Sequence, residues 1–170
     1  MIYSLFIFNR HCACIFQTDW NKPSTSKTES SDATTGTTIG LSRDTGAQSG
    51  GLVGSIDKQM EETAKLVYGV VFSLRNIITK ISPKQGDNFI SYRTNAYKLH
   101  YYESGTGLKF ILLTDPNSDN MVEVLRAIHA QIYVEYVSKN ALLPADGPIN
   151  NELFRTNLLR FVRALPNFGE

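Results

Sequence analysis

The feature that most constrains this chain is a run of apolar residues, spaced three or four positions apart, between Asp57 and Pro83. This spacing predicts an α-helix with one apolar face. Asp57 can cap the helix at its start, and Pro83 ends it. The residues of the apolar face are Met60, Ala64, Val67, Val71, Leu74, Ile78 and Ile81. A helix of this kind has to bury its apolar face, so the rest of the chain must provide a layer that covers it.

Short apolar segments on both sides of the helix predict five strands. Before the helix they span residues 1–8 and 12–20, joined by a turn at Asn9-Arg10-His11. After the helix they span residues 88–94, 97–104 and 108–115. Gly105-Thr106-Gly107 is expected to be the turn of a hairpin between the last two.

The segment YKLHYYESGTGLKF, residues 97–110, concentrates polar and aromatic side chains in the first strand of that hairpin. Alternation along a strand divides these side chains between the two faces of the sheet. Tyr97, Leu99 and Tyr101 are expected on one face, and Lys98, His100 and Tyr102 on the other. The second set resembles an acid–base cluster, but neither a nucleophile nor an acidic group that would orient the histidine is identifiable beside it. We therefore expect these side chains to pack the sheet.

Two further helices are predicted at about 119–139 and 150–164. The apolar residues of the first helix occupy more than one stripe, which predicts that it is covered on a second side, naturally by a partner protein. We expect Tyr133 and Val137 to face outward into such an interface, together with Tyr102. The order ββ-α-βββ-αα indicates an α+β fold in which helices cover both faces of one five-stranded antiparallel sheet, as a single domain over residues 1–170.

Residues 21–55 interrupt this pattern between the second strand and the first helix. Ser, Thr and Gly make up more than half of the segment, and no aromatic residue occurs in it. Such a composition cannot bury enough apolar surface to offset the entropy lost on ordering. The segment is predicted to be a disordered insertion.

Composition excludes several classes of function. The chain has 170 residues and a net charge of +1, with no basic patch of the kind that nucleic-acid binding requires. No apolar run approaches the roughly 20 residues of a membrane helix, so contact with a membrane is expected only through partners. Two cysteines are too few for a disulfide framework, which favours a reduced, cytosolic protein.

No catalytic, cofactor or metal site is recognisable. His11, Cys12 and Cys14 are the nearest approach to a metal site, but a structural zinc site needs a second pair of ligands. We expect the two cysteines to be buried thiols. The chain is therefore predicted not to be an enzyme by itself and to have no cofactor.

Four segments carry a family resemblance: KLVYGVVFSLRNIITKISP (65–83), YKLHYYESGTGLKF (97–110), IYVEYVSKNALL (132–143) and ELFRTNLLRFVRALP (152–166). Together they resemble the subunit 1 group of TRAPP, the transport protein particle, within the sedlin/synbindin-like family of small core subunits. The resemblance covers the chain except residues 21–55 and implies a longin fold.

That resemblance implies a role in a complex that tethers vesicles between the endoplasmic reticulum and the Golgi apparatus. The resemblance also implies that this complex acts as a guanine-nucleotide exchange factor for a Rab GTPase. The implied partners are a synbindin-like longin subunit, an acyl-pocket subunit and, through the assembled complex, the Rab GTPase. The implied location is the cytoplasm, peripheral to Golgi and endoplasmic reticulum membranes. Lys65 and Arg75 on the long helix, and Asn9 and Arg10 in the first turn, are candidates for contacting the GTPase.

A second resemblance remains open. MIYSLFIFNRHCACIFQTDW, residues 1–20, is similar to the opening of clathrin-adaptor small (sigma-type) chains, which share the longin fold and recognise cargo peptides. The long-helix segment and the hairpin favour the TRAPP family over this alternative.

Overall fold

A computed structural model describes residues 1–21, 53–83, 89–144, 146–166 and 168. All five predicted strands form one antiparallel sheet in the order β2-β1-β5-β4-β3. Their bounds are Ile2–Phe8 (β1), Cys14–Asp19 (β2), Ser91–Arg93 (β3), Lys98–Glu103 (β4) and Lys109–Thr114 (β5). The centre of the sheet is thus formed by β1 and β5, while β2 and β3 lie at its edges.

Strand alternation divides the core between the two faces of the sheet, as the sequence predicts. On β1, Phe6 and Phe8 point to one face, and Leu5 and Ile7 point to the other. On β4, Leu99 and Tyr101 join the first face, whereas His100 and Tyr102 lie on the second. Both faces of β1 are buried, so this strand is apolar along most of its length.

Helix α1, Val53–Ile81, covers the first face. Its inward side buries Ala64 and Val71 against Phe6, Phe8 and Ile111. The predicted start was wrong, because Asp57 lies inside this helix and does not cap it. The last three residues of the predicted insertion also belong to α1, and its residues 22–52 lie outside those that the structure describes.

The second face is covered by the remaining helices. Helix α2, Val122–Ala127, continues directly into a π-helix, Ile128–Ser138. Hydrogen bonds in a π-helix join residues five apart, as between the Lys139 N–H and the Val134 carbonyl at 3.0 Å. Residues four and five positions apart therefore share one face. Ile128, Ile132, Tyr133 and Val137 all lie on that face and are buried in the core of the domain.

The π-helical spacing corrects one prediction from the sequence. Tyr133 and Val137 were expected to face outward, but their side chains are 5% and 7% exposed. With 3.6 residues per turn, as in an α-helix, the apolar residues of this segment fall into two stripes. The wider turn of a π-helix brings Ile128, Ile132, Tyr133 and Val137 onto one inward face. The expectation that these two residues face outward, toward a partner, is wrong.

Helix α3, Glu152–Arg163, packs beside β2 and the π-helix. The side chain of Asn151 caps it by accepting hydrogen bonds from the N–H groups of Leu153 and Phe154. The Asn151 amide also donates to the Tyr136 carbonyl at 2.9 Å, which fixes the start of α3 against the π-helix. Phe154 is fully buried and meets the ring of Phe16 edge-on, with 4.9 Å between the ring centroids.

The turn between β4 and β5 is the predicted hairpin. The Gly107 N–H donates to the Ser104 carbonyl at 3.0 Å, and the Ser104 hydroxyl accepts from the Leu108 N–H at 3.1 Å. Gly107 has a φ of 83°, a conformation that a residue with a side chain rarely adopts. Glycine is therefore required at this position of the turn.

Candidate assembly and docking surfaces

His100 from the predicted acid–base cluster is a structural residue. It is fully buried, its Nδ1 accepts from the Met121 N–H at 3.3 Å, and its Nε2 lies 2.9 Å from the Thr114 hydroxyl. Burial, with a smaller effect of the Lys98 charge, lowers its pKa to about 4. The ring is therefore neutral at pH 7, with its proton on Nε2, and it joins β4 to β5 and to the start of α2.

The two cysteines were expected to be buried, and that was wrong. Cys12 and Cys14 are both solvent-accessible and free. Cys12 lies in the turn after β1 with a φ of 67°, and its sulfur contacts the Tyr68 hydroxyl of α1. Partial desolvation raises the pKa of the Cys14 thiol to about 11, so the thiol stays protonated at neutral pH. Within the described residues, no three His, Cys, Asp or Glu side chains are grouped closely enough to hold a metal ion.

Asn9 and Arg10 were both predicted to contact a GTPase, and the structure places them differently. Asn9 is buried: its amide donates to the Asp146 carbonyl at 2.9 Å, and its side-chain oxygen accepts from the Ala13 N–H at 3.0 Å. Arg10 is exposed, and its guanidinium forms an ion pair with the Asp146 carboxylate at 2.8 Å. Of these two residues, only Arg10 has a solvent-accessible side chain. Asn9 holds the turn in place.

Lys65 and Arg75 lie on the flank of α1 that faces the turns of the sheet. Lys65 forms an ion pair with Glu61 one helical turn earlier, at 2.8 Å, and both side chains are exposed. Arg75 forms an ion pair with Glu103 at the end of β4, also at 2.8 Å, and its guanidinium lies over the ring of Tyr101. Between them Tyr68 packs on Phe8, with 5.4 Å between the ring centroids. This flank therefore combines accessible positive charges with aromatic packing.

The predicted contact residues that remain accessible meet at one end of the sheet. Cys12, in the turn that carries Arg10, contacts Tyr68 of α1. The same turn approaches the other hairpin, because a Cβ added to Gly107 would lie 3.3 Å from the Cβ of Arg10. We call this area the hairpin-end surface; it comprises Arg10, Cys12, Lys65, Tyr68, Phe72, Arg75 and Glu103. Along the helix axis Lys65 and Arg75 are about 15 Å apart, a span that one protein partner can cover.

Tyr102, the third predicted interface residue, is half-buried between the sheet and the π-helix. Its ring packs against Phe110 and His129, and the Arg126 guanidinium lies 5.9 Å from the ring centroid. Burial lowers the pKa of His129, so this group is an uncharged neighbour at pH 7. The Tyr102 side chain is thus largely enclosed by its own domain.

A different apolar surface is exposed on α1. Leu66, Val70, Ile77 and Ile81 lie on one flank of the helix, and their exposed fractions range from 39% to 75%. Their spacing of four, seven and four residues keeps them on one line along the helix. We call this line the apolar flank. Contiguous apolar surface of this kind is typical of a protein–protein interface.

Sequence reasoning missed the apolar flank because it assigned a single apolar face to the helix. The signal was present, since Leu66, Val70 and Ile77 repeat at helical spacing beside the residues that were assigned to the core. The sequence predicted a second apolar side on the helix at about 119–139. The structure shows such a second apolar side on α1 instead.

These features define the class of protein. One five-stranded antiparallel sheet, covered by α1 on one face and by α2, the π-helix and α3 on the other, is a longin-like α+β domain. No helix in the described ranges combines the length and the apolar content that a membrane span requires. The model of the Sybindin-like family matches residues 2–165, and this chain belongs to that family.

Curated relatives align over nearly the whole chain. Transport protein particle subunit bet5 of Schizosaccharomyces pombe is 40% identical over 173 residues, which cover 98% of this chain and 99% of the relative. Trafficking protein particle complex subunit BET5 of Saccharomyces cerevisiae is 39% identical over 155 residues, covering 91% and 82%. Trafficking protein particle complex subunit 1 of Homo sapiens is 34% identical over 169 residues, covering 99% and 96%. These matches favour the first of the two resemblances over the clathrin-adaptor chain.

Proposed function

We propose that this chain is a small, non-catalytic subunit of a transport protein particle complex and corresponds to subunit 1 of its relatives. The observation that carries the proposal is the near full-length alignment with relatives that bear the subunit 1 or Bet5 name. The aligned residues make up 98–99% of the given chain, so the longin-like domain is the part that it shares with these relatives.

The apolar flank of α1 supports a role in assembly. Leu66 is 72% exposed and Ile77 is 50% exposed, so burying the exposed part of each against a partner is favourable by about 1–2 kcal/mol, since complete burial of such a side chain contributes about 1.5–3 kcal/mol. The partners proposed are the synbindin-like longin subunit and the acyl-pocket subunit of the complex. We assign the apolar flank to one of these two contacts.

Affinity purification from the native cell tests this assignment. The full-length tagged chain should co-purify with other subunits of the transport protein particle, whereas recovery of clathrin-adaptor large chains would overturn the proposal. Leu66→Asp combined with Ile77→Asp should abolish co-purification of one partner, because it places unpaired charges in an apolar interface. Leu142→Asp is the matched control, since Leu142 is 92% exposed and lies in a loop away from α1. If the control reduces co-purification as much as the double variant does, the assignment of the apolar flank to the interface is wrong.

The finer proposal is that the hairpin-end surface forms part of a docking platform for a Rab GTPase, at Golgi and endoplasmic reticulum membranes. Nucleotide exchange requires no acid or base from the factor. It requires tighter binding of the nucleotide-free GTPase than of the loaded GTPase, which lowers nucleotide affinity through linkage. Exposed charges such as Arg10 and Lys65 suit this task, since they guide encounter and orientation.

Release of a fluorescent guanine nucleotide from the GTPase tests the platform. The assembled complex should accelerate release, and the isolated chain should not. Lys65→Glu should slow release by the complex, but it also places two glutamates side by side. The exchanged pair Glu61→Lys with Lys65→Glu restores the ion pair and reverses both charges. If Lys65 contacts the GTPase, the exchanged pair is as slow as the single variant, and full recovery in the exchanged pair would reject the contact.

A further inference from the structure

A cleft of about 350 Å³ opens between the edge strand β2 and helix α3, on the face of the sheet opposite α1. Its floor comes from alternate residues of the β2 segment, which point to the same face. The lining side chains are Phe16, Thr18 and Trp20 from this segment, Arg155, Leu158, Leu159 and Arg163 from α3, and Phe168. None of these residues belongs to the hairpin-end surface or to the apolar flank.

The helix and the strand run side by side along the cleft. Phe16 meets Phe154 and the Arg155 guanidinium near the start of α3. At the other end Trp20 meets Phe168, which follows α3, with 6.2 Å between the ring centroids. An extended chain lying beside β2 would therefore pass the side chains of α3 in the order in which they occur along the helix.

The cleft has more positive than negative charge. Arg155 and Arg163 both line it, and in the part of the chain that the structure describes neither forms an ion pair with a carboxylate. Arg155 lies over the ring of Phe16 at 5.6 Å, which holds its guanidinium at the wall of the cleft. The acidic residue in the lining is Asp19, whose carboxylate accepts a hydrogen bond from the Asn21 N–H at 3.0 Å. Two arginines thus line a cleft whose other residues, apart from Thr18 and Asp19, are aromatic or aliphatic.

The backbone of β2 offers hydrogen bonds along the same edge. Trp20 donates its N–H to the Tyr3 carbonyl, and Thr18 lies opposite Leu5, so the backbone groups of both face β1. Because these groups alternate along a strand, the N–H and C=O of Gln17 point away from the sheet. The neighbouring outward carbonyl, that of Ile15, already accepts from the Ile149 N–H at 2.8 Å. The edge at Gln17 can therefore accept an added strand.

The spacing of the α3 side chains defines what an added strand would carry. Arg155 and Arg163 are eight residues apart, about 12 Å along the helix, and Leu159 lies midway. In a strand, residues i and i+4 are about 13 Å apart on one face, with i+2 between them. We propose that the cleft binds an extended peptide segment of a partner protein that presents an acidic, an apolar and an acidic side chain at positions i, i+2 and i+4. The two carboxylates pair with the arginines, and the apolar side chain fills the cleft beside Leu159.

This binding site does not depend on which complex the chain joins. Carboxylate–guanidinium contacts are among the strongest hydrogen bonds in proteins, and pairing with the edge of β2 fixes the direction and register of the segment. The site thus adds recognition of a peptide to a domain proposed above as an assembly and docking subunit.

Fluorescence anisotropy with defined peptides tests the site. The probe is a fluorescein-labelled Thr-Glu-Thr-Leu-Thr-Glu-Thr peptide, and the full-length chain is the titrant. Its matched control has the same composition in the order Thr-Thr-Glu-Glu-Leu-Thr-Thr, which removes the i, i+2, i+4 spacing. The first peptide should bind, and the control should bind about tenfold more weakly or not at all. Equal binding of the two peptides, or no binding of either, would overturn the proposal.

Charge variants on α3 locate the contact. Arg155→Glu and Arg163→Glu should each weaken binding of the first peptide about tenfold or more. Arg160→Glu makes the same charge change on the same helix, but Arg160 does not line the cleft. This variant should therefore bind the first peptide with nearly the affinity of the unchanged chain. A loss in Arg160→Glu equal to that in the other two would show attraction by net charge alone and reject the site. Binding of phosphatidylserine vesicles that depends on Arg155 and Arg163, without peptide binding, would assign the cleft to a membrane surface and also reject it.

Discussion

Asn9 shows how one side chain can hold together parts of the chain that are far apart in sequence. Its amide joins the turn after β1 to the backbone of Asp146, which lies 137 positions further along the chain. Its side-chain oxygen also closes the turn through the Ala13 N–H. Sequence reasoning placed Asn9 on a surface because an asparagine in a turn is normally solvated, and no local pattern reveals a partner at that distance.

Asn9→Ala should destabilise the domain by about 1–3 kcal/mol, because two part-buried hydrogen bonds of a buried side chain, to the Asp146 carbonyl and from the Ala13 N–H, are lost. Arg10→Ala is the matched comparison. The Arg10–Asp146 ion pair is exposed, so its loss should cost less than about 1 kcal/mol. Urea unfolding of the two variants measures the difference. A larger loss in Arg10→Ala than in Asn9→Ala would contradict the assignment of Asn9 as the structural member of the pair.

His100 predicts a pH dependence of stability. The fold lowers its pKa from 6.5 to about 4, so between these values the unfolded chain takes up a proton that the folded chain does not. The free energy of unfolding should therefore fall as pH drops from 6.5 to 4, and this residue contributes a loss of about 3 kcal/mol. Chemical denaturation at a series of pH values measures the slope.

His100→Gln provides the control for that slope. Glutamine does not titrate, and it leaves the Met121 N–H without the Nδ1 acceptor. The variant should be less stable at neutral pH and should lose less stability on acidification than the unchanged chain. Parallel slopes for the two proteins would show that other groups carry the pH dependence.

At the scale of elements, local periodicity predicted the type and approximate bounds of the strands and helices. It failed in the second helix, because a 3.6-residue period was applied to residues 128–138, where the structure has hydrogen bonds between residues five apart. Nothing in a single sequence distinguishes the two periods over so short a segment. The residues assigned to a partner therefore belong to the core, and the exposed apolar surface lies on α1.

Val137→Asp tests the π-helical face. Val137 is 7% exposed, so an unpaired charge there should unfold the domain or lower its stability by several kcal/mol. Gln131→Asp is the control, because Gln131 is exposed on the same π-helix and should tolerate the change. Thermal melts of the isolated domain provide the measurement. If the Val137→Asp protein is folded and fully stable, the Val137 side chain faces outward, as the sequence suggested.

At the scale of the whole molecule, the element order was predictable and the strand order was not. Each strand can be predicted from the pattern of its own residues. The pairing of β1 with β5, by contrast, joins residues far apart in the sequence, such as Phe8 and Lys109. Such pairings depend on the competition among all strands for partners, which no local pattern encodes.

Replacing residues 22–52 with a short Gly/Ser linker should change the free energy of unfolding by no more than about 1 kcal/mol, because loop-closure entropy depends only logarithmically on length. The prediction rests on the composition of this segment, and the linker has only to join Asn21 to the start of α1 at Val53. Urea unfolding of the shortened chain provides the measurement. A large loss of stability would show that the segment packs on the domain.

The position of β1 also determines when this protein can fold on the ribosome. The strand is synthesised before the other four strands, but its partner β5 emerges about a hundred residues later, which takes about 5–20 s at ordinary rates of translation. Until then the nascent chain holds β1 paired with β2 at most, with an apolar edge and two apolar faces available to chaperones or to aggregation. The rate at which the ribosome translates the mRNA between β1 and β5 therefore determines how long the apolar strand β1 remains unpaired with β5.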